Sequence, residues 1–250
     1  MKKTRAIILA AGMGARLREI SGGKPKSLLQ FGGVSLLHRH IALLNRFGID
    51  AILVVTGYRD QDIDSELQSL AYETRIDTAY NADFAAGSVV SLWTARSFLQ
   101  SGDDIILMDA DVLYHRDILR TLLESTHQNC FLLDREFEAG EEPVKICVRN
   151  GVMVEFRKQV DSRLEYDFQG ESVGFFRLAG PLAGKVAERC ARYVDNGRAA
   201  APYEEVLRDL LLQSPGSFAF EDISGLPWIE IDFPDDVERA QRDILPAIDL

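Results

Sequence analysis

Three short apolar runs constrain this chain more than any other feature. They lie at residues 5–11 (RAIILAA), 51–57 (AILVVTG) and 104–111 (DIILMDAD), and none alternates between apolar and polar positions. A strand without alternation is apolar on both faces and must be covered on both. The segments between these runs carry helical patterns. Leu37, Ile41 and Leu44 recur at helical spacing, and Gly48 follows as a stop. DQDIDSELQSL has acids in its first turn, where a helix end is positive. SVVSLWTARSFLQSG runs from Ser88, a candidate N-cap, to Gly102. This alternation predicts an α/β fold: a mostly parallel sheet with right-handed crossovers and helices on both faces.

From about residue 136 the texture changes. PVKICVRNGVMVEFRKQV reads as two strands around a turn at Asn150-Gly151, and ESVGFFRLAG as another strand. Helices are expected over 181–196 and 203–213, before a terminal WIEIDFPDDVERAQRDIL in which Asp235 and Asp236 read as an N-cap and a first-turn acid. No repeat or low-complexity tract interrupts the chain, and 250 residues suit a single domain. A net charge of -11 argues against nucleic acid and anionic membranes as partners. Basic residues precede the first apolar run, but that run is too short for a signal peptide. No stretch approaches the ~20 apolar residues of a membrane helix. Cys130, Cys147 and Cys190 are odd in number and lack metal-ligand spacing, so they read as packing residues of a cytoplasmic protein.

The segment after the first run, LAAGMGARLREISGGKPKSLLQF (residues 9–31), reads on its own either as an anion-binding loop or as a flexible glycine turn with solvated cations. A dinucleotide fingerprint needs a third glycine where Leu17 stands. A P-loop needs a hydroxyl after its lysine, where GGKPKS has Pro25. What remains is a pair of glycines, Gly12 and Gly14, that let backbone N–H groups approach an anion. Arg16 adds a planar fork for phosphate, and Lys24 and Lys26 flank the stiff Pro25.

The pattern L-A-A-G-x-G-x-R-L followed by P-K-S-L resembles the signature of nucleotidyltransferases, which join a nucleoside triphosphate to a phosphorylated acceptor. YNADFAAGSVVSLWTAR (residues 80–96) resembles their cytidylyltransferase branch and lacks the L-G-T-A of the sugar-1-phosphate branch. MDADVLY resembles the metal-binding strand end, and EIDFPDDVERA the C-terminal E-I-D-T-P-E-D signature. The likeness runs from about residue 4 to 240 and is weakest over 119–171.

The resemblance implies a Rossmann-like, GT-A-like three-layer mixed sheet with a small α+β acceptor part. Residues 1–135 form the nucleotide half and 136–250 the acceptor half of one sheet. It implies nucleotide contacts from Leu9, Ala10, Ala11, Gly12, Gly14, Asn81, Gly87 and Ser88. Arg16 and Lys26 are expected on the leaving pyrophosphate, with Lys24 a solvated neighbour. Lys158 is expected near the α-phosphate or acceptor phosphate, with Arg157 and Lys145 as competitors. Asp111 and Asp232 are expected to hold Mg²⁺, supported by Asp109, with Glu230 a further candidate. The acceptor phosphate is already ionised, so no general base is needed, and His38, His40, His115 and His127 have no role in the reaction.

Lys145, Glu171, Tyr203, Glu205 and Trp228 are expected at the acceptor, with Gly174 and Trp93 close by. An aromatic face beside a carboxylate attracts an ammonium group, as in the phosphocholine branch. Where that branch carries a tryptophan this chain has Pro143 and Lys145, and a lysine there would repel choline and suit a carboxylate or phosphonate. The expected activity is a Mg²⁺-dependent cytidylyltransferase coupling CTP to phosphocholine, aminoethylphosphonate or a similar small acceptor. The alternatives are a sugar-1-phosphate nucleotidylyltransferase using UTP or dTTP, and a non-catalytic regulatory module. The last should have lost Arg16, Lys26, Asp111 or Asp232, and all four are present. A homodimer is left open.

Overall fold

The computed structural model describes residues 3–138 and 140–248. Met1 and Lys2, part of the basic start weighed as a leader, fall outside them. The elements run β1 (Thr4–Leu9), β2 (Gln30–Phe31), β3 (Val34–Ser35), α1 (Leu36–Arg46), β4 (Ala51–Thr56), α2 (Asp60–Ser69) and β5 (Arg75–Tyr80). Next come α3 (Ser88–Thr94), α4 (Arg96–Leu99), β6 (Asp104–Asp109), β7 (Val112–Tyr114), α5 (Arg116–Glu124) and β8 (Cys130–Asp134). The chain continues through β9 (Lys145–Arg149), β10 (Val152–Arg157), β11 (Phe168–Leu178), α6 (Gly180–Asp195) and α7 (Glu204–Gln213). It closes with β12 (Ala219–Asp222), β13 (Trp228–Glu230) and α8 (Pro234–Arg239).

The three apolar runs become β1, β4 and β6, and β1 pairs in parallel with both of the others. With β5 added on β4, they form the parallel part of a mixed sheet ordered β10-β9-β11-β6-β1-β4-β5. Long β11 runs antiparallel to β6 and also pairs with β8 and β9, and β12 is parallel to β8. Successive residues of a strand face opposite sides of a sheet. Accordingly Ile7, Leu53 and Leu107 pack under α3, α4, α6 and α7 on one face. Ile8, Val54 and Met108 pack under α1, α2 and α5 on the other. A smaller core of Leu17, Phe31, Leu36, Leu113, Ile229, Ile231 and Ala240 binds the glycine segment to the C-terminal segment.

Local signals hold in detail at several points. Ser35 caps α1 by accepting from the His38 N–H at 3.0 Å, and Gly48 takes φ +71° after it. Asn150 and Gly151 both take positive φ, the requirement of a type I′ hairpin between β9 and β10. Two capping expectations fail. The cap of α3 is Gly87, not Ser88, whose hydroxyl instead accepts from the Tyr203 N–H at 2.8 Å, and the helix breaks at Ala95 before Gly102. At α8, Phe233 takes the cap position and Asp235 lies inside the first turn. The Asp236 carboxylate reaches back to the N–H groups of Asp232 and Phe233 at 2.9 and 2.7 Å. Among the described residues no helix is long and apolar enough to cross a membrane.

Candidate active site

In α/β sheets ligands bind beyond the carboxyl ends of the parallel strands. Here that edge carries Leu9 at the end of β1 and Asp109 at the end of β6, with Asp111 two residues on. The two-stranded ladder of β7 and β13 then brings in the far end of the chain. Glu230 pairs with Val112, and the Ile231 N–H donates to the Asp111 carbonyl at 3.0 Å. One carboxylate oxygen from each of Asp111, Glu230 and Asp232 lies within 4.8 Å of the others.

Lys26 closes this trio. Its Nζ is 2.6 Å from Asp111 Oδ2 and 2.6 Å from Asp232 Oδ1. Burial opposes the charge on Lys26, but the two carboxylates outweigh it and hold the ammonium above its ordinary value. Burial, with the charges of Asp111 and Asp232, pushes the Glu230 carboxyl well up. Gly14 makes the closure sterically feasible: it takes φ +57°, and a Cβ there would stand 3.1 Å from Lys26 Cβ. Asp111 Oδ1 is buried without a hydrogen-bond partner, so the trio retains an unused oxygen donor.

Behind the trio sits a polar layer. Tyr203, 3% exposed, donates its hydroxyl to Asp109 Oδ2 at 2.6 Å. Burial first, and then the charges of Asp111 and Glu204, hold the Asp109 carboxyl well above its usual range. A Cβ on Gly174, which has φ +78°, would overlap that same carboxylate.

The remaining sequence candidates divide into groups. Ala10 and Ala11 are fixed by backbone bonds, from the Ala10 N–H to Val55 and from the Tyr58 N–H to the Ala11 carbonyl. Gly12 faces open space. Asn81 is buried, donating to Ser91 Oγ at 3.1 Å and accepting from the Asp83 N–H at 2.9 Å, so its amide shapes the loop leading to Gly87. Arg16 stacks 4.6 Å over the Phe233 ring and meets Glu142 at 3.0 Å, and Lys158 meets the same Glu142 at 3.0 Å. Lys24 is exposed.

At the expected acceptor site three side chains have partners within the chain. The Lys145 ammonium is turned onto the carbonyls of Gly140, Pro143 and Lys158 at 2.8, 3.3 and 2.8 Å, which uses its three protons. Tyr203 presents no aromatic face to solvent, because it is locked into the layer behind the trio. Glu205 is forked by Arg157 at 2.7 and 2.9 Å. Trp228 and Glu171 do face a common cleft of about 400 Å³, together with Asp134, Glu136, Phe137 and Glu138. Trp228 donates to Asp134 Oδ2 at 2.7 Å. Burial, then the charge of Asp134, pushes the Glu171 carboxyl up to about 7. Sequence reasoning missed Asp134, although a carboxylate ending an apolar strand was the available signal. It also missed Glu142, for which no signal existed.

His40 is buried beside Tyr114, and burial pushes it down to about 4. The three cysteines are buried and free, with thiols pushed up by burial to about 11, 11 and 12 for Cys130, Cys147 and Cys190.

A glycine segment, a carboxylate trio and a lysine gathered at the edge of a parallel sheet define a nucleotide-handling α/β domain. The chain belongs to the MobA-like NTP transferase domain family, whose model matches residues 6–165. It is 26% identical over 96% of its length to a bifunctional IPC transferase and DIPP synthase of Rubrobacter xylanophilus, of which it spans about half, 52%. It is 24% identical to the CTP:phosphoglutamine cytidylyltransferase of Campylobacter jejuni, over 93% of this chain and 97% of that one. Among solved structures, the inositol-1-phosphate CTP transferase from T. maritima superposes with a TM-score of 0.76 at 19% identity, over 100% of this chain and 99% of that one, a likeness of fold.

Proposed function

We propose that this chain is a Mg²⁺-dependent cytidylyltransferase that couples CTP to a small phosphate or phosphonate and releases pyrophosphate. The observation that carries the reading is the clustering of Asp111, Glu230 and Asp232 beside the glycine segment, with Lys26 bridging Asp111 and Asp232. Hard oxygen donors suit Mg²⁺, and the unpartnered Asp111 Oδ1 supplies one more acceptor for it. When bound, the ion would neutralise charge building on the α-phosphate. Lys26 and Arg16 would hold the leaving pyrophosphate, and Lys158 would hold the α-phosphate that the acceptor attacks. The rest is positioning and charge stabilisation. Relatives named for CTP support the base.

The acceptor reading shifts toward a cationic amine. The cleft is lined by Asp134, Glu136, Glu138 and Glu171 with Trp228 and Phe137, and the Lys145 ammonium is spent on carbonyls. Carboxylates and aromatic faces together favour an ammonium. Phosphocholine, phosphoethanolamine and aminoethylphosphonate fit, since the carboxylates of the cleft outnumber the Lys145 charge, whose protons point at backbone carbonyls. The test is pyrophosphate release with CTP, UTP, dTTP and GTP against those three acceptors, inositol phosphate and glucose-1-phosphate. CTP with an amine-bearing acceptor should give the highest kcat/KM. UTP or dTTP with glucose-1-phosphate giving the highest value would overturn the reading.

A further inference from the structure

Glu142 sits between two clefts and lines both. Its carboxylate oxygens are shared between cations from distant parts of the chain. Oε1 accepts from Arg16 of the glycine segment at 3.0 Å, and Oε2 from Lys158 beyond β10 at 3.0 Å. These are two of the three cations assigned above to the phosphates. Two oxygens divided between a guanidinium and an ammonium reproduce the demand that a phosphate group would make on the same pair. The contact is held in place rather than incidental. Lys145 ties the carbonyls of Gly140 and Pro143, on either side of Glu142, to that of Lys158. The Lys158 hydrogen bond in turn holds the Glu142 carboxyl below its ordinary value.

Resting on the nucleotide reading of the site, we propose that Glu142 is a built-in competitor for the nucleotide triphosphate, released when the polyphosphate takes over Arg16 and Lys158. The device is weak enough to be reversible. The side chains of Arg16, Glu142 and Lys158 are 53, 43 and 47% exposed, and half-exposed ion pairs contribute little. A triphosphate brings several charges to the same two cations, whereas a single carboxylate or orthophosphate gains little over Glu142. The contact therefore holds the two cations on either side of one carboxylate, preorganised, while setting a threshold against small anions. Withdrawal of Glu142 also removes a side chain that lines both clefts.

The test is titration of Mg²⁺-CTP, and of orthophosphate, into the protein and its variants by calorimetry. Glu142→Gln should tighten CTP by about three- to tenfold, the scale of two exposed ion pairs. It should also make orthophosphate binding measurable. Glu142→Asp, too short to reach both cations, should tighten CTP to an intermediate extent. Glu141→Gln, which removes the same charge one residue away, should change the affinity less than twofold. Equal or weaker CTP binding in Glu142→Gln, or equal tightening in Glu141→Gln, overturns the competitor while leaving the nucleotide site standing. If the parent protein binds none of the four nucleoside triphosphates, the nucleotide reading falls, and the competitor with it.

Discussion

At the scale of single residues, the trio and its lysine make the sharpest prediction. Asp111→Asn and Asp232→Asn each leave the shape intact and remove one charge beside Lys26. Each should lower kcat by at least ~10²-fold, the usual consequence of losing one aimed electrostatic group, while far-UV circular dichroism is unchanged. Glu171 gives a second, with its sign set by linkage. Its carboxyl is raised in the folded state to about 7, so between the ordinary carboxylate value and pH 7 the folded chain binds more protons than the unfolded one. Stability attributable to Glu171 therefore falls as pH rises through that window. Glu171→Gln should match the parent in melting temperature near pH 5 and exceed it at pH 8. With an amine-bearing acceptor, the parent KM should fall as pH rises through 7, and that dependence should vanish in Glu171→Gln. Most of the trio was legible in the sequence, since Asp111 and Asp232 sit in recognisable motifs at strand ends. Glu230 was only a candidate, because no local pattern says that a carboxylate two residues upstream of Asp232 will come within 4.8 Å of Asp111.

At the scale of elements, β11 carries the most stringent constraint. Gly174 stands in its middle with φ +78° and no room for a Cβ beside Asp109. Gly174→Ala combines left-handed strain with overpacking and should cost about 1–3 kcal/mol in denaturant unfolding, with Asp109 displaced from Tyr203. An equally stable variant would mean that the β6–β11 contact yields easily. The strands, the Gly48 stop of α1 and the Asn150-Gly151 hairpin followed from sequence because each depends on neighbours along the chain. The caps of α3 and α8 did not. Ser88 was drawn away to the Tyr203 N–H across the fold, and Asp236 rather than Asp235 turned back to the chain entering α8. A tertiary contact decided the first, and bonds only three and four residues back along the chain decided the second. The β7–β13 ladder is three residues long on each side and was illegible for the same reason.

At the scale of the whole molecule, the two halves share one sheet. β11 from the second half lies against β6 from the first, and β12 extends β8. Neither half closes a core alone, so urea unfolding should show one transition with coincident fluorescence and circular dichroism. Two separated transitions would mean that the halves are independent. By itself the sequence determined the class of sheet, the alternation of strands and helices in its first half, the glycine segment and the residue types of the candidate site. Those follow from periodicity and backbone chemistry, which act over a few residues. Only the tertiary structure decided which charges meet. It put Glu230 with Asp111, spent Lys145 on carbonyls, buried Tyr203 on Asp109 and set Glu142 between Arg16 and Lys158. A charged side chain takes the partner that packing delivers within about 3–4 Å, and no spacing along the chain encodes that.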